Sequence, residues 1–433
     1  MIIDFSVRNF RSFREEQKVS FVASNYEKTL PQNLIDPQLS GRGYSDMRLL
    51  KVLVMYGANA AGKTNVLHAL RYLVHMVENS ATHLDEGDPT GAEPFRLDDD
   101  TQDQPSSFVL RFVVDGVRYH FTLVLNEERI LFESIAAYPK GRKQLWYERK
   151  WDAVQHCYEW GPARPVDYKR DSSLFKYTRA NALYLSTAVK FNDEQLKPLY
   201  LWFKDKVRML SLNADFPPLS PLFTARTMMS DANRRAEIMR MLQHADFGIL
   251  SARATERDIQ RSDLPKDMPD VIAERILKEK HLEIELGHKG KDGKEYTLDW
   301  NEESSGTKKF FALAGPWLDI LRKGFLAGLD EIESSMHPAM VDALLKLVQS
   351  ERTNPLGAQL ICTTHNPALL DGELMRRDQI WLVEKDEEGA SHVYPLTKYK
   401  PRKKESLIRG YLTGRYGATP FIPGDLLNTP DPE

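Results

Sequence analysis

The sequence predicts an α/β protein in which a mixed sheet with flanking helices is interrupted by an inserted β subdomain and a helical subdomain. Three observations support this prediction. An apolar run at 50–56 leads into a glycine-containing loop and then into a helix with apolar residues at three- and four-residue steps, at 65–78. Beyond residue 300, helical and strand patterns alternate. Between these parts, short alternating strands begin at residue 107, and mostly helical periodicity follows from about residue 165.

Each element has a local signal in the sequence. Residues 2–24 alternate as strands, and residues 79–106 are acidic and rich in turn formers. The segment "VVDGVRY" predicts a hairpin, because Asp115 and Gly116 suit a two-residue turn. Two later segments, "HLEIELGHKGKDGKEYTLDW" and "QIWLVEKDEEGASHVYPL", predict further hairpins.

Composition excludes several classes of protein. Of 433 residues, 42% are hydrophobic and 28% are charged, which is typical of a soluble globular protein. No apolar run is long enough to predict a membrane span, and the N-terminus does not resemble a signal peptide. Two cysteines, Cys157 and Cys362, cannot build a disulfide framework or a zinc site, so a cytoplasmic location is expected. The net charge of −3 does not require a nucleic-acid partner.

The stretch "YGANAAGKTN" at 56–65 fits the pattern G-x-x-x-x-G-K-[ST]. Gly57 and Gly62 let the backbone approach phosphate oxygens, Lys63 supplies a charge for the outer phosphates, and the Thr64 hydroxyl can bind Mg²⁺. The helix that follows directs its N-terminal N–H groups at an anion. The predicted nucleotide contacts are Asn59, Gly62, Lys63, Thr64 and Asn65. The structural alternative is a glycine turn that binds nothing.

Two later strand ends have polar side chains that suit the same chemistry. In "GFLAGLDEIESSMHP" an apolar strand ends at Asp330 and Glu331; the first carboxylate can hold Mg²⁺ and the second can deprotonate an attacking water. In "ICTTHN" a second strand ends beside His365, and a right-handed crossover places the two strand ends next to each other. An imidazole there could contact a γ-phosphate or the water. An acidic helix cap and a histidine in an ordinary turn are the alternatives.

Two further segments combine polar residues with strand or helix starts. The stretch "ESSGTKKFFALAG" begins an apolar helix with Ser304, Ser305 and Gly306; the serines are N-cap types and the glycine permits close approach. It predicts either a simple capped helix or an anion-binding helix start. Near the N-terminus, "VRNFRS" places Arg8 and Arg11 on an early strand.

The order of these motifs resembles a known family. Phosphate loop, long insertion, Ser-Ser-Gly helix, Asp-Glu pair and Thr-His-Asn follow one another as in the ABC-type ATPase heads of the SMC, Rad50, RecF and OLD group. The resemblance implies an ABC-type ATPase head that uses ATP and Mg²⁺ and hydrolyses ATP between paired heads. It implies that Asp330 and Thr64 hold Mg²⁺, that Glu331 is the catalytic base, and that His365 is the switch histidine.

The resemblance also gives roles to the two segments whose residues leave several uses open. "NFRS" is similar to the family's N-terminal strand motif, in which Arg11 would approach the phosphates. The family's signature helix reaches across a dimer to the γ-phosphate bound on the other subunit, and "IESSMHP" would be the dimer-contacting loop. The residues expected to act in this way are Ser304, Ser305 and Gly306. The usual signature begins Leu-Ser-Gly-Gly, whereas here Glu303 precedes two serines and one glycine.

On this resemblance the chain divides into three parts. Residues 1–160 would form the N-terminal half of the head with the phosphate loop and the β subdomain. Residues 161–285 would form a mainly helical insertion, and residues 286–433 the C-terminal half with the signature, the Asp-Glu pair and the switch histidine. No nuclease domain of the OLD type is expected in the short segment after His365.

A narrower resemblance suggests a biological role. "ESSGTKKFF", "DEIESSMHP", "DQIWLVEKD" and "YLTGRYGATP" together resemble the compact RloA-type branch, bacterial ATPases found in anti-phage operons that include the PARIS ATPase. This implies a sensor and scaffold for a separately encoded effector, expected to be a Toprim-like nuclease, with a phage-encoded trigger. It also implies a homo-oligomer built from head-to-head dimers; DNA is not required and no membrane is expected as a partner.

Two other functions stay open on the sequence. One is an SMC- or RecF-like DNA repair or DNA-structure ATPase, for which DNA-stimulated hydrolysis would be expected. The other is a nucleotide-gated scaffold with little turnover. The basic run "KYKPRKKESLIRGY" at 398–411 predicts either a solvated surface turn or a contact with DNA or a partner.

Overall fold

The predicted fold class is confirmed: the protein is α/β, with a mixed sheet between layers of helices and a second, antiparallel sheet. A computed structural model describes residues 1–419 apart from 40–43, 45, 162–171, 212–218, 246–247, 258–259, 262–264, 266–267, 271–280, 371 and 403–404. Among the described residues, no helix has both the length and the apolar character needed to cross a membrane.

The strands are numbered here in chain order. They are β1 (Ile2–Arg8), β2 (Gln17–Ser20), β3 (Leu34–Ile35), β4 (Leu49–Leu50), β5 (Val52–Tyr56), β6 (Ser106–Val114), β7 (Val117–Leu125), β8 (Ile130–Tyr138), β9 (Gln144–Asp152), β10 (Cys157–Gly161), β11 (Val207–Ser211), β12 (Ile249–Arg257), β13 (His281–Lys289), β14 (Glu295–Asp299), β15 (Leu326–Asp330), β16 (Gln359–Thr363), β17 (Ile380–Lys385) and β18 (Ser391–Pro395).

The α-helices are numbered in the same way. They are α1 (Lys63–Asn79), α2 (Asp99–Gln102), α3 (Tyr184–Lys190), α4 (Lys197–Lys206), α5 (Pro221–Ser230), α6 (Ala232–His244), α7 (Ser305–Lys323), α8 (Pro338–Gln349) and α9 (Leu407–Leu412). Short 3₁₀ turns lie at Pro31–Asn33, Pro139–Gly141, Ser172–Tyr177, Trp300–Glu302, Pro367–Leu369, Arg377–Gln379 and Leu396–Tyr399.

The central sheet has six strands in the order β11-β15-β16-β5-β17-β18. Pairing is parallel from β11 to β17, and β18 returns antiparallel to β17 through the predicted hairpin. All residues of β5, β15 and β16 are buried, as expected for parallel strands covered on both faces. Because these strands are parallel, their carboxyl ends lie at one edge of the sheet.

Alternate residues of the central strands enter two separate cores. Leu53, Met55 and Ile361 pack in one core with α1 and the antiparallel sheet. Val54 and Leu360 pack in the other core with α7 and α8. The period-two alternation of strand side chains thus joins the central sheet to a layer on each side.

The antiparallel sheet has seven strands in the order β10-β9-β8-β7-β6-β1-β2. The predicted two-residue turn is present between β6 and β7: Asp115 and Gly116 have φ angles of 48° and 73°, and Val114 pairs with Val117. Positive φ at both central residues is the geometry that suits the right-handed twist of a hairpin. The N-terminal strand β1 pairs with both β6 and β2, so the sheet combines the start of the chain with the inserted β region.

The segment predicted as a mainly helical insertion, 161–285, contains four described α-helices, α3 to α6. It also contains β11, which pairs in parallel with β15 at the edge of the central sheet, with Ser211 opposite Asp330. The strands β12 and β13 form a three-stranded sheet with β14, and β13 and β14 are the hairpin predicted for "HLEIELGHKGKDGKEYTLDW". The predicted boundary at 285/286 falls inside β13. The insertion therefore contributes a strand to the sheet that holds the phosphate loop.

Candidate nucleotide-binding site

The loop between β5 and α1 needs glycine at two positions. A Cβ atom on Gly57 would lie 2.2 Å from the carbonyl oxygen of Val383, and one on Gly62 would lie 2.3 Å from Ser391 Oγ. Gly62 also has a φ of 102°, a backbone conformation that residues other than glycine rarely adopt. The backbone of this loop therefore packs tightly against β17 and β18 and continues directly into α1. Asn59 lies exposed in this loop.

Lys63 begins α1 and is almost wholly buried. Its Nζ donates to the carbonyl oxygens of Gly57 at 3.0 Å and Ala58 at 2.9 Å. Burial lowers the pKa of Lys63 to about 8, although the carboxylates of Asp330 and Glu331 favour its charged form. The ammonium group is thus held on the loop by weak neutral acceptors, which phosphate oxygens could replace.

Asp330 joins the phosphate loop to two strand ends. It is buried, and its Oδ1 accepts hydrogen bonds from Thr64 Oγ1 at 3.0 Å and from Thr363 Oγ1 at 2.6 Å. The parallel register of β15 and β16 brings Thr363 to this position. Thr363 was not among the predicted site residues; the only signal for it is its place at the end of an apolar strand in "ICTTHN".

The oxygen atoms of Asp330 and Thr64 fit Mg²⁺. Both are hard donors, they lie within 3.2 Å of each other, and Mg²⁺ is usually bound by one or two protein oxygens together with waters and substrate phosphates. Within the part of the chain that the structure describes, no group of three or more His, Cys, Asp or Glu residues could hold a metal ion. A metal at this place would therefore depend on phosphate and water for its remaining ligands.

Glu331 follows Asp330 in a left-handed backbone conformation, with a φ of 48°. Its N–H donates to Thr363 Oγ1 at 2.8 Å, so Thr363 supports both acidic residues at once. A non-glycine residue in this conformation costs on the order of 1 kcal/mol, and such strain is concentrated at functional sites. The side chain of Glu331 is partly exposed, which leaves it accessible to a water molecule.

His365 lies beside Glu331, as expected for adjacent strand ends. Its Nε2 is 3.8 Å from Glu331 Oε1, and its backbone N–H donates to Glu333 Oε1 at 2.5 Å. Burial, and next to it the charge of Lys63, lower the pKa of His365 below its usual value. The imidazole is therefore neutral at pH 7 and can either accept or donate a hydrogen bond.

The N-terminal segment around Arg11 packs against the phosphate loop through its neighbour Ser12. Ser12 Oγ accepts from Asn65 Nδ2 at 2.7 Å and lies 2.8 Å from Ser391 Oγ. The guanidinium of Arg11 lies 3.0 Å from a carboxylate oxygen of Glu93. Arg11 thus directly precedes a residue that contacts the phosphate-loop region, but its charge is paired with an acidic residue. The roles of Ser12 and Ser391 were not predicted.

The Ser-Ser-Gly segment begins α7 as a capped helix. Ser304 is the N-cap, and its Oγ accepts from the Thr307 N–H at 3.1 Å. Ser304 and Ser305 are both exposed, although the Ser304 hydroxyl also lies 2.8 Å from Thr307 Oγ1 and is therefore engaged within its own helix start. A Cβ atom on Gly306 would lie 2.8 Å from the Ser335 carbonyl oxygen, so the helix start packs closely on the loop after the Asp-Glu pair.

Glu303 stands where the family's signature usually has leucine. Its side chain is buried, and its Oε1 lies 2.5 Å from Nε2 of His288 on β13. The start of α7 is therefore attached to the three-stranded sheet that the insertion helps to form. This contact was not predicted from the sequence.

In the basic run at 398–411, Lys403 and Lys404 lie outside the described residues. Lys398 lies 4.5 Å above the ring of Tyr394, and Arg409 is on α9. These placements do not decide between a solvated turn and a contact surface.

Comparisons with known proteins give one family and several distant structures. Residues 52–371 match the family model described as "AAA domain, putative AbiEii toxin, Type IV TA system". No curated protein matches the chain significantly.

Three solved structures are similar over most of their length. The SMC head domain from Thermotoga maritima is 12% identical with a TM-score of 0.37, covering 91% of this chain and 98% of that chain. The second is an Smc head domain from Pyrococcus furiosus with an extended coiled coil, bound to the C-terminal domain of ScpA. It is 13% identical with a TM-score of 0.39, and the match covers 92% of this chain and 97% of that chain. The recombination mediator protein RecF with ATP is 14% identical with a TM-score of 0.31, and the match covers 91% of this chain and 99% of that chain. At such values the likeness has no bearing on function.

Proposed function

Because the chain belongs to the family described as "AAA domain, putative AbiEii toxin, Type IV TA system", we propose that it is an ATP-hydrolysing sensor and scaffold of a bacterial anti-phage defence system. In this proposal it is an ATPase with an ABC-type head, which the match to an AAA domain and the parallel central sheet support. In this proposal it belongs to the compact RloA-type branch and controls a separately encoded effector, a Toprim-like nuclease. The family's description as a toxin of a toxin–antitoxin system is in keeping with a defence role.

The contact between Thr64 and Asp330 is the observation that supports the ATPase chemistry most directly. It joins the phosphate loop to the end of β15, so the oxygens proposed for Mg²⁺ are within 3.2 Å of each other. Bound Mg²⁺ would neutralise charge on the β- and γ-phosphates. Lys63 would bind the outer phosphates, and Asn59, Gly62 and Asn65 would complete the loop.

In the proposed reaction, Glu331 removes a proton from the attacking water while the water oxygen bonds to the γ-phosphorus and ADP leaves. The strained backbone conformation of Glu331 and the hydrogen bond from its N–H to Thr363 fix the backbone position from which the Glu331 side chain extends. His365, neutral and 3.8 Å away, would hold the water or a γ-phosphate oxygen. Arg11 would reach the phosphates only after leaving Glu93.

The exposed serines at the start of α7 support pairing of two heads. Ser304 and Ser305 are exposed at the start of this helix and Gly306 follows them, and two heads facing each other would close both nucleotide sites by symmetry. Each ATP would then be hydrolysed between two different chains.

A mixing experiment tests this arrangement. Chains with Lys63→Ala and chains with Ser304→Arg should each be inactive, whereas a mixture should recover part of the ATPase rate after subunits exchange. One site of the mixed dimer keeps an intact loop and an intact facing helix. Ser220→Arg is a matched control, because Ser220 is also an exposed N-cap serine, on α5. If exchange is verified by size and the mixture stays inactive, shared sites are excluded; normal hydrolysis by Ser304→Arg alone would remove the role of this helix start.

The defence role needs a test in cells. The intact operon should protect a host in a plaque assay, and Glu331→Gln should abolish that protection while the chain is still produced. Affinity purification from the operon should recover the effector with the ATPase. Stimulation of hydrolysis by DNA, without any protection against phage, would favour an SMC- or RecF-like repair function instead.

A further inference from the structure

A groove on the outer side of the head is unexplained by the nucleotide chemistry. It lies between α6 and α8, below the loop at 335–337, and has a volume of about 900 Å³. We call it the α6–α8 groove. Its lining consists of Arg240, Met241, His244, Ala245, Phe310, Ser335, Met336, His337, Ala339, Met340, Ala343, Leu344, Leu347 and Arg352.

The apolar floor of the groove is a second hydrophobic stripe on α8. One stripe, with Val341 and Leu345, is buried in the core of the head. The other stripe, Met340, Ala343 and Leu347, recurs at three- and four-residue steps and lines the groove. Met340 and Leu347 are partly buried against the same core, and Ala343 is exposed. A surface helix needs only one apolar stripe to pack on its own protein. A concave groove with an apolar lining is a common form of binding site.

The flexible side chains in the floor suit a helical ligand. Met241, Met336 and Met340 all line the groove, and methionine adapts its shape to different apolar partners. An amphipathic helix places apolar anchors at positions i, i+3, i+4 and i+7 and can lay that face in such a groove.

The rim of the groove has one sign of charge. Arg240, Arg352, His244 and His337 line it, and no aspartate or glutamate does. Among the residues that the structure describes, no carboxylate forms an ion pair with Arg240 or Arg352. His244 uses Nδ1 toward the Arg240 carbonyl oxygen at 2.6 Å, so it stays next to that arginine.

We propose that the α6–α8 groove binds an amphipathic helix of a partner protein, with apolar anchors in the floor and acidic residues against the two arginines. A second copy of this chain packed groove to groove fits less well, because its own groove lining has two arginines and no carboxylate to pair with them. The partner is defined by this chemistry alone.

The position of the groove gives its occupant access to the nucleotide site. Its wall includes Ser335 and Met336, which belong to the loop that starts at Glu331 and on which Gly306 packs. A helix bound there would restrict that loop and so change the rate of hydrolysis. This last effect rests on the proposed function, but binding itself does not.

The binding test uses two synthetic helical peptides of about five turns, on the order of 18 residues. Both have the same leucine face; the other positions are glutamate in one and lysine in the other. Fluorescence anisotropy with the full chain should show the glutamate peptide binding about tenfold or more tightly than the lysine peptide, and weakening with salt. The double variant Arg240→Glu, Arg352→Glu should reverse this preference. Lys346→Glu, on the same helix α8 but outside the groove, is the matched control and should leave it unchanged.

Three results would overturn the proposal: wild type binding neither peptide, wild type binding both alike, or the double variant keeping the original preference. Circular dichroism of each variant separates loss of folding from loss of binding. ATP hydrolysis is measured in a separate assay without peptide. If the chain binds the glutamate peptide but does not hydrolyse ATP, the proposed function is refuted and the proposed binding site in the groove is not.

A cellular experiment identifies the natural occupant. A photo-crosslinking amino acid in place of Ala343, in cells that express the native operon, should capture a different protein through an acidic, helix-forming segment. Arg240→Glu with Arg352→Glu should abolish that capture. Capture of a second copy, capture of residues 420–433 of the same chain, or no capture would each refute a separate partner.

Discussion

Replacing Thr363 by valine should weaken both the stability and the chemistry of the site. Valine has nearly the same shape but has no hydroxyl, so the bond to Asp330 at 2.6 Å and the bond from the Glu331 N–H at 2.8 Å are both lost. A hydrogen bond to a charged group contributes about 1.5–3 kcal/mol, and a neutral one about 1 kcal/mol. We therefore expect the free energy of unfolding to fall by about 2–4 kcal/mol.

The matched control is Thr364→Val. Thr364 is equally buried, but its Oγ1 accepts only from the Asn366 N–H, at 3.0 Å, and does not touch a carboxylate. It should lose about 1 kcal/mol. Urea unfolding, with an unchanged dependence on denaturant, gives the difference in stability.

Single-turnover hydrolysis should fall about 10–100-fold in Thr363→Val and little in Thr364→Val, because only the first change displaces both Asp330 and Glu331. If the two variants are equally stable and equally active, Thr363 has no special role in holding the acidic pair. In that event the arrangement of the site depends on the backbone alone.

Three further predictions concern charges. Glu331→Gln should keep ATP affinity and lose hydrolysis, since Mg²⁺ binding is left to Asp330; hydrolysis at the wild-type rate would show that another group is the base. ATP affinity should fall above pH 8: the pKa of Lys63 is about 8 and rises when phosphate binds, so binding takes up a proton above pH 8. The loss should reach about tenfold at pH 9, and calorimetry in buffers of different ionisation heat should detect the proton; its absence at pH 9 would disprove the lowered pKa. Arg149→Met should cost about 3–5 kcal/mol, because Glu133 beside it is also fully buried, and adding Glu133→Gln should restore part of this; an additive double variant in urea unfolding would mean that the two do not interact.

The parts of the fold with local signals were predictable. The hairpin at Asp115 and Gly116 depends on two residues that tolerate positive φ, and the helix at 65–78 on the spacing of its apolar residues. The proximity of His365 and Glu331 also followed, because a strand–helix–strand unit fixes which strand ends are neighbours.

Contacts that depend on the whole sheet order were not predictable. Thr363 reaches Asp330 through the register of two strands, and Ser391 reaches Ser12 across 379 positions of the chain. Nothing in either local sequence specifies such a partner. The membership of β11 in the central sheet is a similar case, since a five-residue strand that follows a helix has no local signal for the strand with which it pairs.

The strand order of the central sheet also determines when, during synthesis of the chain, the nucleotide site can form. β5, which leads into the phosphate loop, pairs only with β16 and β17, which leave the ribosome about 300 residues later. At about 5–20 residues per second that interval is roughly 15–60 s. The strands of the seven-stranded sheet, in contrast, are all made by Gly161, so this sheet can fold early and cover one face of β5 and α1. A nascent chain that stops before β16 would therefore have a folded β layer but no nucleotide site, and only a chain that includes β16 and β17 could bind ATP.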